Sequence, residues 1–415
     1  MKKGLLLSFL AFAGFSNAQL VSDSVTMGVG YANNVWYSLQ NDEQGTPQPA
    51  NNWDLGFATT ITPSNPLAAS IIFNNKIGRV YAVPGTDGDD LATADTTGMS
   101  AWTTLYNSET TWSEGALNAA SSGGTDYGWG DYDAVNHTGI VKNRVFAVKY
   151  TNGSVKLFTV SLSFMSQSYT VEYSNADHTG TGTTTIAFNT YASKNYIYLP
   201  LGGALVDREP ASASWDLLFT QYVADIPANY PQNMVTGVLH NVGVEIAEVH
   251  PVNNPETDNS FGSVTYSEDI NTIGYDWKTY NGTYSIEDSL VYFVKDVDGD
   301  YWRLIMTGFS GSGPGGKTFF KKEKVASLSV AENNQLISGI FPNPAANNVT
   351  VMIDSKSNAT VKVLNMTGQV VFESAATSNA LEAMSISTAD FTNGVYLVQV
   401  SNGAATTTQR LVVQH

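Results

Sequence analysis

Five histidines and no cysteine set the limits on metal and haem chemistry in this chain of 415 residues. Without cysteine there is no thiol nucleophile, no zinc–thiolate site and no covalent attachment of haem. A haem iron usually takes histidine or methionine as an axial ligand in an apolar cleft. His240 follows the apolar run 234–239, so His240 and Met234 are the candidate ligands. A structural or surface role is the default for each histidine. We therefore predict no cofactor, with haem as the alternative.

Tryptophan side chains form the second group of candidate binding residues, because each combines a flat apolar face with one N–H donor. Trp129 and Trp277 each stand beside a turn-forming residue, and we predict that both are exposed and available to a ligand or glycan. Trp53 and Trp215 begin strand-like blocks of alternating pattern, which predicts that they belong to the core.

Motifs for nucleotide, calcium and hydrolytic chemistry receive weaker support. Residues 311–318 match the P-loop pattern, but no helical pattern follows, and Pro314 removes one N–H group that would hold phosphate. The aspartate-rich loops 87–90 and 296–300 lack the twelfth-position glutamate of an EF-hand and are typical of solvated turns, with adventitious calcium binding as the alternative. No G-x-S-x-G or H-E-x-x-H motif occurs, so we predict a protein that is not an enzyme. A convergent carboxylate pair stays an open alternative.

Four sequence blocks that position these residues occur twice, in the same order. Block 31–39 recurs at 191–199, 53–57 at 215–219, 127–132 at 275–280, and 146–153 at 292–299. Self-similarity of this kind indicates a duplication. We predict two tandem homologous β units, at 19–170 and 171–325.

Local patterns predict strands and turns throughout both units. Trp53, Leu55 and Phe57 alternate with smaller or polar residues, which places them on one face of a strand. Asn152-Gly153 and Asp298-Gly299 separate apolar runs and predict tight hairpins, because these pairs supply the positive φ that such turns require. One helical stretch is predicted at 100–106, where apolar residues lie three and four apart. The 36 glycines and abundant aromatic residues favour an all-β fold.

A linker at 326–336 leads into a C-terminal domain at 337–415, whose short alternating runs predict a small β-sandwich. Its Phe-Pro-Asn-Pro-Ala start at 341–345, Met-Thr-Gly-Gln turn at 366–369 and Asn-Gly-Val-Tyr run at 393–396 resemble the type A sorting domain of cargo of the type IX secretion system. The resemblance implies transport across the outer membrane with that machinery as partner. The resemblance also implies that the domain is removed during export or attachment.

The Trp-Asp-Leu-x-Phe strands at 53–57 and 215–219, together with the later hairpins at 148–153 and 294–299, resemble the HmuY-type family of secreted haem-binding β proteins. This chain carries two such units, so it looks closer to tandem-repeat relatives exported by type IX secretion. The resemblance implies a fold more than an activity.

The first 18 residues have the order of a signal peptide: two lysines, the apolar run 5–15 and three small residues. Cleavage is predicted between Ala18 and Gln19. No later run approaches the ~20 apolar residues of a membrane helix, so we expect no integral membrane segment in the mature chain. The net charge of −17 argues against nucleic acid as a partner. We predict a secreted or cell-surface protein with a ligand-binding or structural role. The alternatives are a haemophore-like protein and a glycan-binding adhesin.

Overall fold

Strands and short 3₁₀ turns make up the regular structure of the computed structural model, which describes residues 20–60, 69–226, 230–326, 336–354, 358–376, 381–402 and 406–415. The predicted signal peptide, its cleavage point between Ala18 and Gln19 and most of the predicted linker 326–336 lie outside these residues. Across the described ranges no α-helix occurs, and the predicted all-β fold class is confirmed.

The helix predicted at 100–106 is wrong. Met99–Ala101 form one 3₁₀ turn, and Trp102 that follows it is already extended. Two β-branched threonines come next, which disfavours a helix. The N–H group of Leu105 then donates a 2.9 Å hydrogen bond to the carbonyl oxygen of Val80. The backbone here therefore pairs as in a β-strand and does not form helical hydrogen bonds.

Contacts divide the chain after residue 327 into two units. The strands described in the first unit are β1 (Val21–Thr26), β2 (Asn33–Ser38), β3 (Asp42–Glu43), β4 (Gln48–Pro49), β5 (Leu55–Ala58), β6 (Ile71–Phe73), β7 (Gly78–Ala82), β8 (Gly130–Tyr132), β9 (Gly139–Lys142), β10 (Phe146–Tyr150), β11 (Val155–Ser163), β12 (Ser168–Asn175), β13 (Gly182–Ala187), β14 (Tyr196–Leu199), β15 (Leu217–Ile226), β16 (Tyr230–His240), β17 (Glu245–Val249), β18 (Lys278–Tyr280), β19 (Tyr284–Ile286), β20 (Val291–Lys295), β21 (Tyr301–Phe309) and β22 (Lys317–Ala326). The 3₁₀ turns among the described residues are Val29–Tyr31, Asp90–Ala92, Met99–Ala101, Asn118–Ala120, Phe188–Tyr191, Ser212–Ser214 and Ser260–Gly262.

These strands form antiparallel sheets whose order runs β1-β22-β21-β20-β17, β13-β12-β11-β10-β7 with β8 and β9 attached, β14-β5-β6, β16-β15-β2-β3 with β4 attached, and β18-β19. Both predicted hairpins are confirmed. Asn152-Gly153 joins β10 to β11, and Asp298-Gly299 joins β20 to β21. Gly153 and Gly299 have φ of 87° and 83°, the left-handed conformation that glycine adopts at least cost.

The repeated blocks occupy reciprocal positions in the first unit. Strand β2, from the first copy, pairs with β15 from the second, and β14 from the second copy pairs with β5 from the first. One hydrophobic core therefore consists of residues between 55 and 201. Another contains residues from 25–39 together with residues from 217–320. The predicted division into units at 19–170 and 171–325 stays a prediction. Any such division must allow for the exchange of strands between the two copies.

The described part of the second unit contains two antiparallel sheets, β23-β24-β27 and β26-β25-β28-β29. Its described strands are β23 (Ile337–Phe341), β24 (Asn348–Asp354), β25 (Ala359–Asn365), β26 (Val370–Ala376), β27 (Leu381–Ser387), β28 (Gly394–Ser401) and β29 (Thr406–Val413). Alternating valines and isoleucines of both sheets, among them Val351, Val361 and Val398, bury one shared core. Within the described residues of the whole chain, no helix is long and apolar enough to span a membrane.

Candidate functional site: a tryptophan-lined pocket

A small cavity of about 90 Å³ lies inside the first unit, where the outer faces of several strands meet. We call it the tryptophan pocket. Its aromatic wall consists of Trp36, Trp53, Trp112, Tyr196, Tyr198 and Trp215. The rest of the lining includes asparagine side chains, Lys76, Glu209, Leu218 and the β15 residues 220–223. The surface therefore combines ring faces with polar groups, which is the usual composition of a small-molecule site.

Strand periodicity explains why aromatic rings converge there. On β2, Val35 and Tyr37 enter a hydrophobic core, so Trp36 between them faces the other way. On β14, Ile197 belongs to a core while Tyr196 and Tyr198 on either side face the pocket. The two tryptophans of the repeated Trp-Asp-Leu blocks join them.

Trp53 and Trp215 were predicted to be core residues, and both are indeed buried. The prediction that Trp53 shares a face with Leu55 and Phe57 is wrong. Strand β5 begins only at Leu55, and Trp53, before it, packs edge-on against Tyr198 at 4.9 Å between ring centroids. Trp215 likewise precedes β15 and packs with Trp36.

The pocket wall carries five buried polar atoms without a hydrogen-bond partner within the described structure. They are the indole nitrogens of Trp36, Trp53 and Trp215, the amide nitrogen of Asn75 and the hydroxyl of Tyr222. Buried polar groups in folded proteins are nearly always paired with protein or bound water. Each of these atoms has almost no accessible surface, so the wall itself encloses them and they do not face the cavity.

Arg208 contacts the aromatic wall. Its guanidinium carbon lies 5.4 Å from the ring centre of Trp36, 5.5 Å from that of Trp53 and 5.2 Å from that of Tyr198. Only 4% of the residue is exposed, and Nε and Nη1 have no partner among the described atoms. Nη2 makes a long 3.5 Å contact to the carbonyl oxygen of Gln48. Burial lowers the pKa of Arg208 to about 10, so the side chain is still charged at neutral pH.

Glu209 is the carboxylic acid of the described pocket lining. Oε2 accepts a 2.8 Å hydrogen bond from the Tyr198 hydroxyl, and Oε1 accepts one of 2.9 Å from the N–H group of Asn195. Burial raises the pKa of Glu209 to about 7, against the effect of these hydrogen bonds. The carboxyl group is therefore held by the protein and is close to half-protonated at neutral pH.

His240, the predicted ligand residue, is buried at the end of β16 and does not line the pocket. Both ring nitrogens face backbone oxygens: Nδ1 lies 3.0 Å from that of Asn241 and Nε2 lies 2.8 Å from that of Asp269. Burial lowers the pKa of His240. Its own carbonyl oxygen accepts a 2.8 Å hydrogen bond from the indole N–H of Trp112. His240 therefore supports the pocket wall through its hydrogen bond with Trp112, and both of its ring nitrogens face backbone oxygens.

The other predicted site residues are dispersed. Met234 is half-buried and lines the tryptophan pocket. The exposure predicted for Trp129 and Trp277 is wrong, since both are buried in separate hydrophobic cores. Their flanking residues form turns, yet each ring points inward. Trp129 donates a 3.1 Å hydrogen bond to the carbonyl oxygen of Ala69.

Two further sequence motifs have structural roles. In the loop 296–300, Oδ1 of Asp296 accepts hydrogen bonds from the N–H groups of Asp298 and Asp300, and Oδ2 accepts one from the Trp302 indole. The described residues contain no group of three or more histidine, aspartate or glutamate side chains placed to hold a metal. The P-loop-like run leads into strand β22 from Lys317, where a P-loop requires a helix.

Sequence reasoning missed Arg208 and Glu209 altogether. The only signal was an Asp-Arg-Glu run at 207–209 in a chain with few charges. Trp36, also missed, stands within the first repeated block.

Comparison with known proteins confirms the predicted C-terminal domain. Residues 339–414 match the family of secretion system C-terminal sorting domains. The protein is thus secreted by the type IX route to the cell surface. It is also 28% identical over 126 residues to an endo-acting ulvan lyase from Formosa agariphila, a match that covers 29% of this chain. The chain spans 23% of the length of that lyase.

Proposed function

We propose that this exported protein is a non-enzymatic ligand-binding protein and that the tryptophan pocket is its binding site. The observation that carries the proposal is a cavity inside the first unit whose lining combines aromatic ring faces with amide groups, Lys76 and Glu209.

A binding role is favoured over catalysis by the chemistry of the lining. Glu209 has both oxygens engaged, and the remaining described wall offers ring faces, amides and hydrogen-bond donors. The similarity to an ulvan lyase covers too little of that enzyme to transfer its activity. Ulvan therefore serves as one probe, and we expect no cleavage of it.

Haem is the weaker ligand hypothesis. A cavity of about 90 Å³ is far below the ~300–1,000 Å³ of sites for drug-sized ligands. His240 could ligate iron only by giving up a hydrogen bond to a backbone oxygen. A flat absorbance titration in the Soret region is expected.

The test is a panel of small polar ligands, oligosaccharides and ulvan, measured by tryptophan fluorescence and calorimetry on the mature chain. Trp215→Phe keeps an aromatic residue but reduces the ring that lines the cavity, so affinity should fall several-fold. Trp277→Phe is the matched control, because its indole N–H is also buried and unpaired but lies outside the pocket. The proposal fails if no ligand binds or if both variants weaken binding equally.

A second candidate, a glycan-binding surface, is favoured by two exposed tyrosines. Tyr280 and Tyr284 are directly paired on β18 and β19, with ring centroids 4.9 Å apart, and Tyr280 is 67% exposed. Phe309 supports Tyr284 edge-on at 4.8 Å. Loss of signal on a glycan array for Tyr280→Ala, with Trp215→Phe unaffected, would assign binding to this surface instead of the pocket.

A further inference from the structure

We infer that a second cleft in the first unit, separate from the tryptophan pocket, binds an uncharged saccharide through Tyr106, Glu114 and Tyr127. We call it the tyrosine cleft. Its volume of about 550 Å³ lies within the ~300–1,000 Å³ that is usual for sites of small ligands. Asn107 contributes to the lining of both the cleft and the tryptophan pocket, so the two cavities are neighbours.

The tyrosine cleft is built from one long connection between strands. Residues 83–129 join β7 to β8 with three 3₁₀ turns as their regular structure, and the cleft lining lies between residues 106 and 127. Strand β17 pairs with β20 as β7 pairs with β10, yet its connection to β18, residues 250–277, is shorter. Irregular connections of such length are uncommon in compact domains and usually have a function. The extra residues of the first connection therefore point to a binding role.

Hydrogen bonds hold the walls of the cleft in place. The side-chain oxygen of Asn107 accepts 2.9 Å hydrogen bonds from the N–H groups of Phe73 and Ala116. The side-chain oxygen of Asn118 accepts one of 3.0 Å from the N–H group of Ile71. Both asparagines thus tie the connection to strand β6. Because the walls are formed before a ligand arrives, binding costs little conformational entropy.

Three side chains of the cleft have polar groups that are both accessible and unpaired. The hydroxyl groups of Tyr106 and Tyr127 make no hydrogen bond to described residues, and neither is enclosed by the protein. Glu114 is exposed, and its carboxylate has no hydrogen bond or ion pair within the described structure. A ligand in the cleft can therefore reach all three groups.

The chemistry of these groups favours a saccharide. A tyrosine offers an apolar ring face together with a hydroxyl that both donates and accepts hydrogen bonds, whereas a carboxylate only accepts. A sugar ring has C–H faces that pack on aromatic rings and adjacent hydroxyl groups that donate together to one carboxylate. Tyr127 also packs against a hydrophobic core, which fixes its ring in the wall.

The charges around the cleft argue against an acidic sugar. No cationic side chain belongs to the described lining. Asp126, the second carboxylate there, is paired with Arg144 at 2.6 Å, so this arginine is already neutralised. Glu114 leaves one unpaired negative charge at the cleft, in a chain of net charge −17. A uronate or sulfated sugar would be repelled, whereas an uncharged sugar would not.

Matched sugars test the inference on the mature chain. A glycan array first selects the uncharged oligosaccharide that binds best, and calorimetry then compares it with the uronate of the same linkage and length. We expect the uncharged member to bind at least 10-fold more tightly. Equal or tighter binding of the uronate would overturn the inference. Binding of a polyamine such as spermidine with no sugar bound, or no binding by any probe, would overturn it as well.

Two variants in the cleft supply an independent readout. Glu114→Gln should weaken binding of the uncharged sugar about 10-fold and narrow its preference over the uronate, because the change removes both a charged acceptor and the repulsion. Tyr106→Ala should weaken both sugars, with Tm unchanged, since Tyr106 belongs to none of the described hydrophobic cores. Glu268→Gln is the matched control, because Glu268 is also exposed and unpaired among the described residues but lies outside the cleft.

Variants at the other two candidate sites locate the binding. Trp215→Phe in the tryptophan pocket and Tyr280→Ala on the β18–β19 surface should both bind the sugar like the wild type. Loss of sugar binding in either of them, with Glu114→Gln unaffected, would place the sugar elsewhere and overturn the inference. The proposed function of the tryptophan pocket is tested by its own ligand panel, so one can fail while the other stands.

Discussion

The hydroxyl of Tyr198 donates a 2.8 Å hydrogen bond to Oε2 of Glu209, inside a wall that is closed to solvent. Arg208 lies over the ring of the same tyrosine, 5.2 Å from its centre. One aromatic side chain thus contacts Glu209 of the pocket lining and the arginine that stacks on the aromatic wall. Burial raises the pKa of Glu209 to about 7 against the effect of this hydrogen bond, so the stability of the fold depends on pH near neutrality.

The free energy of unfolding should fall as pH rises from about 4.5 to about 7 and then level off. Folded Glu209 keeps its proton up to about pH 7, whereas the unfolded carboxyl loses it near 4.5. The folded state therefore binds more protons within this window, and raising the pH favours unfolding. Urea denaturation at several pH values measures the slope. Glu209→Gln, which keeps the shape and carries no charge, should flatten it.

Asp216 has the same sign of effect at lower pH, since burial raises its pKa to about 6. The difference between wild type and Glu209→Gln, rather than either curve alone, isolates Glu209. Parallel curves for the two proteins would show that Glu209 does not titrate in this range.

Removing the carboxyl group of Asp216 should destabilise the first unit by about 3 kcal/mol. Its Oδ2 accepts a 2.7 Å hydrogen bond from the N–H group of Leu39, and Oδ1 accepts one of 3.1 Å from Val297. Asp216→Ala leaves the buried N–H group of Leu39 and the partly buried one of Val297 without this partner, and a buried unpaired donor costs roughly 1–3 kcal/mol. Asp216→Asn keeps one acceptor oxygen and should lose less. Chemical denaturation measures both variants, and an equal loss in the two would argue against the hydrogen bonds as the cause.

Gly115→Ala should cost about 3 kcal/mol, because an added Cβ would lie 2.0 Å from the carbonyl oxygen of Ile71. The backbone of strand β6 approaches the loop there too closely for any side chain. Gly262→Ala is the matched control, with nothing within 4 Å of the added Cβ and an ordinary φ. Thermal unfolding distinguishes the variants, and equal Tm values would contradict the close approach.

Local sequence signals predicted the strands and hairpins but not how distant strands pair. The turn at Asn152-Gly153 could be predicted because the residues that make it are adjacent. The pairing of β2 with β15 joins residues about 180 positions apart, and no local pattern encodes it. The reciprocal placement of the repeated blocks therefore appeared only in three dimensions.

The site was predicted less well for a related reason. Turn-forming neighbours suggested that Trp129 and Trp277 are exposed, whereas tertiary packing turns both rings inward. Arg208 lies among rings from three separate segments of the chain, so its burial could not be inferred from residues near it in sequence. Charged residues are ordinarily at the surface, which is why the run at 207–209 attracted no attention.

Export should depend on the folded sorting domain and not on the tryptophan pocket. Val361 of β25 is fully buried in the core of the second unit, whereas Val370 of β26 is 42% exposed. Val361→Asp places an unpaired charge in that core and should unfold the domain, while Val370→Asp leaves the core intact. In a bacterium with type IX secretion, protease treatment of intact cells should then detect Val370→Asp and wild type at the surface and find Val361→Asp retained inside. Surface display of Val361→Asp at the wild-type level would contradict a role for the folded domain in sorting. Trp215→Phe, which changes only the pocket, should reach the surface normally, since the sorting signal lies within residues 339–414.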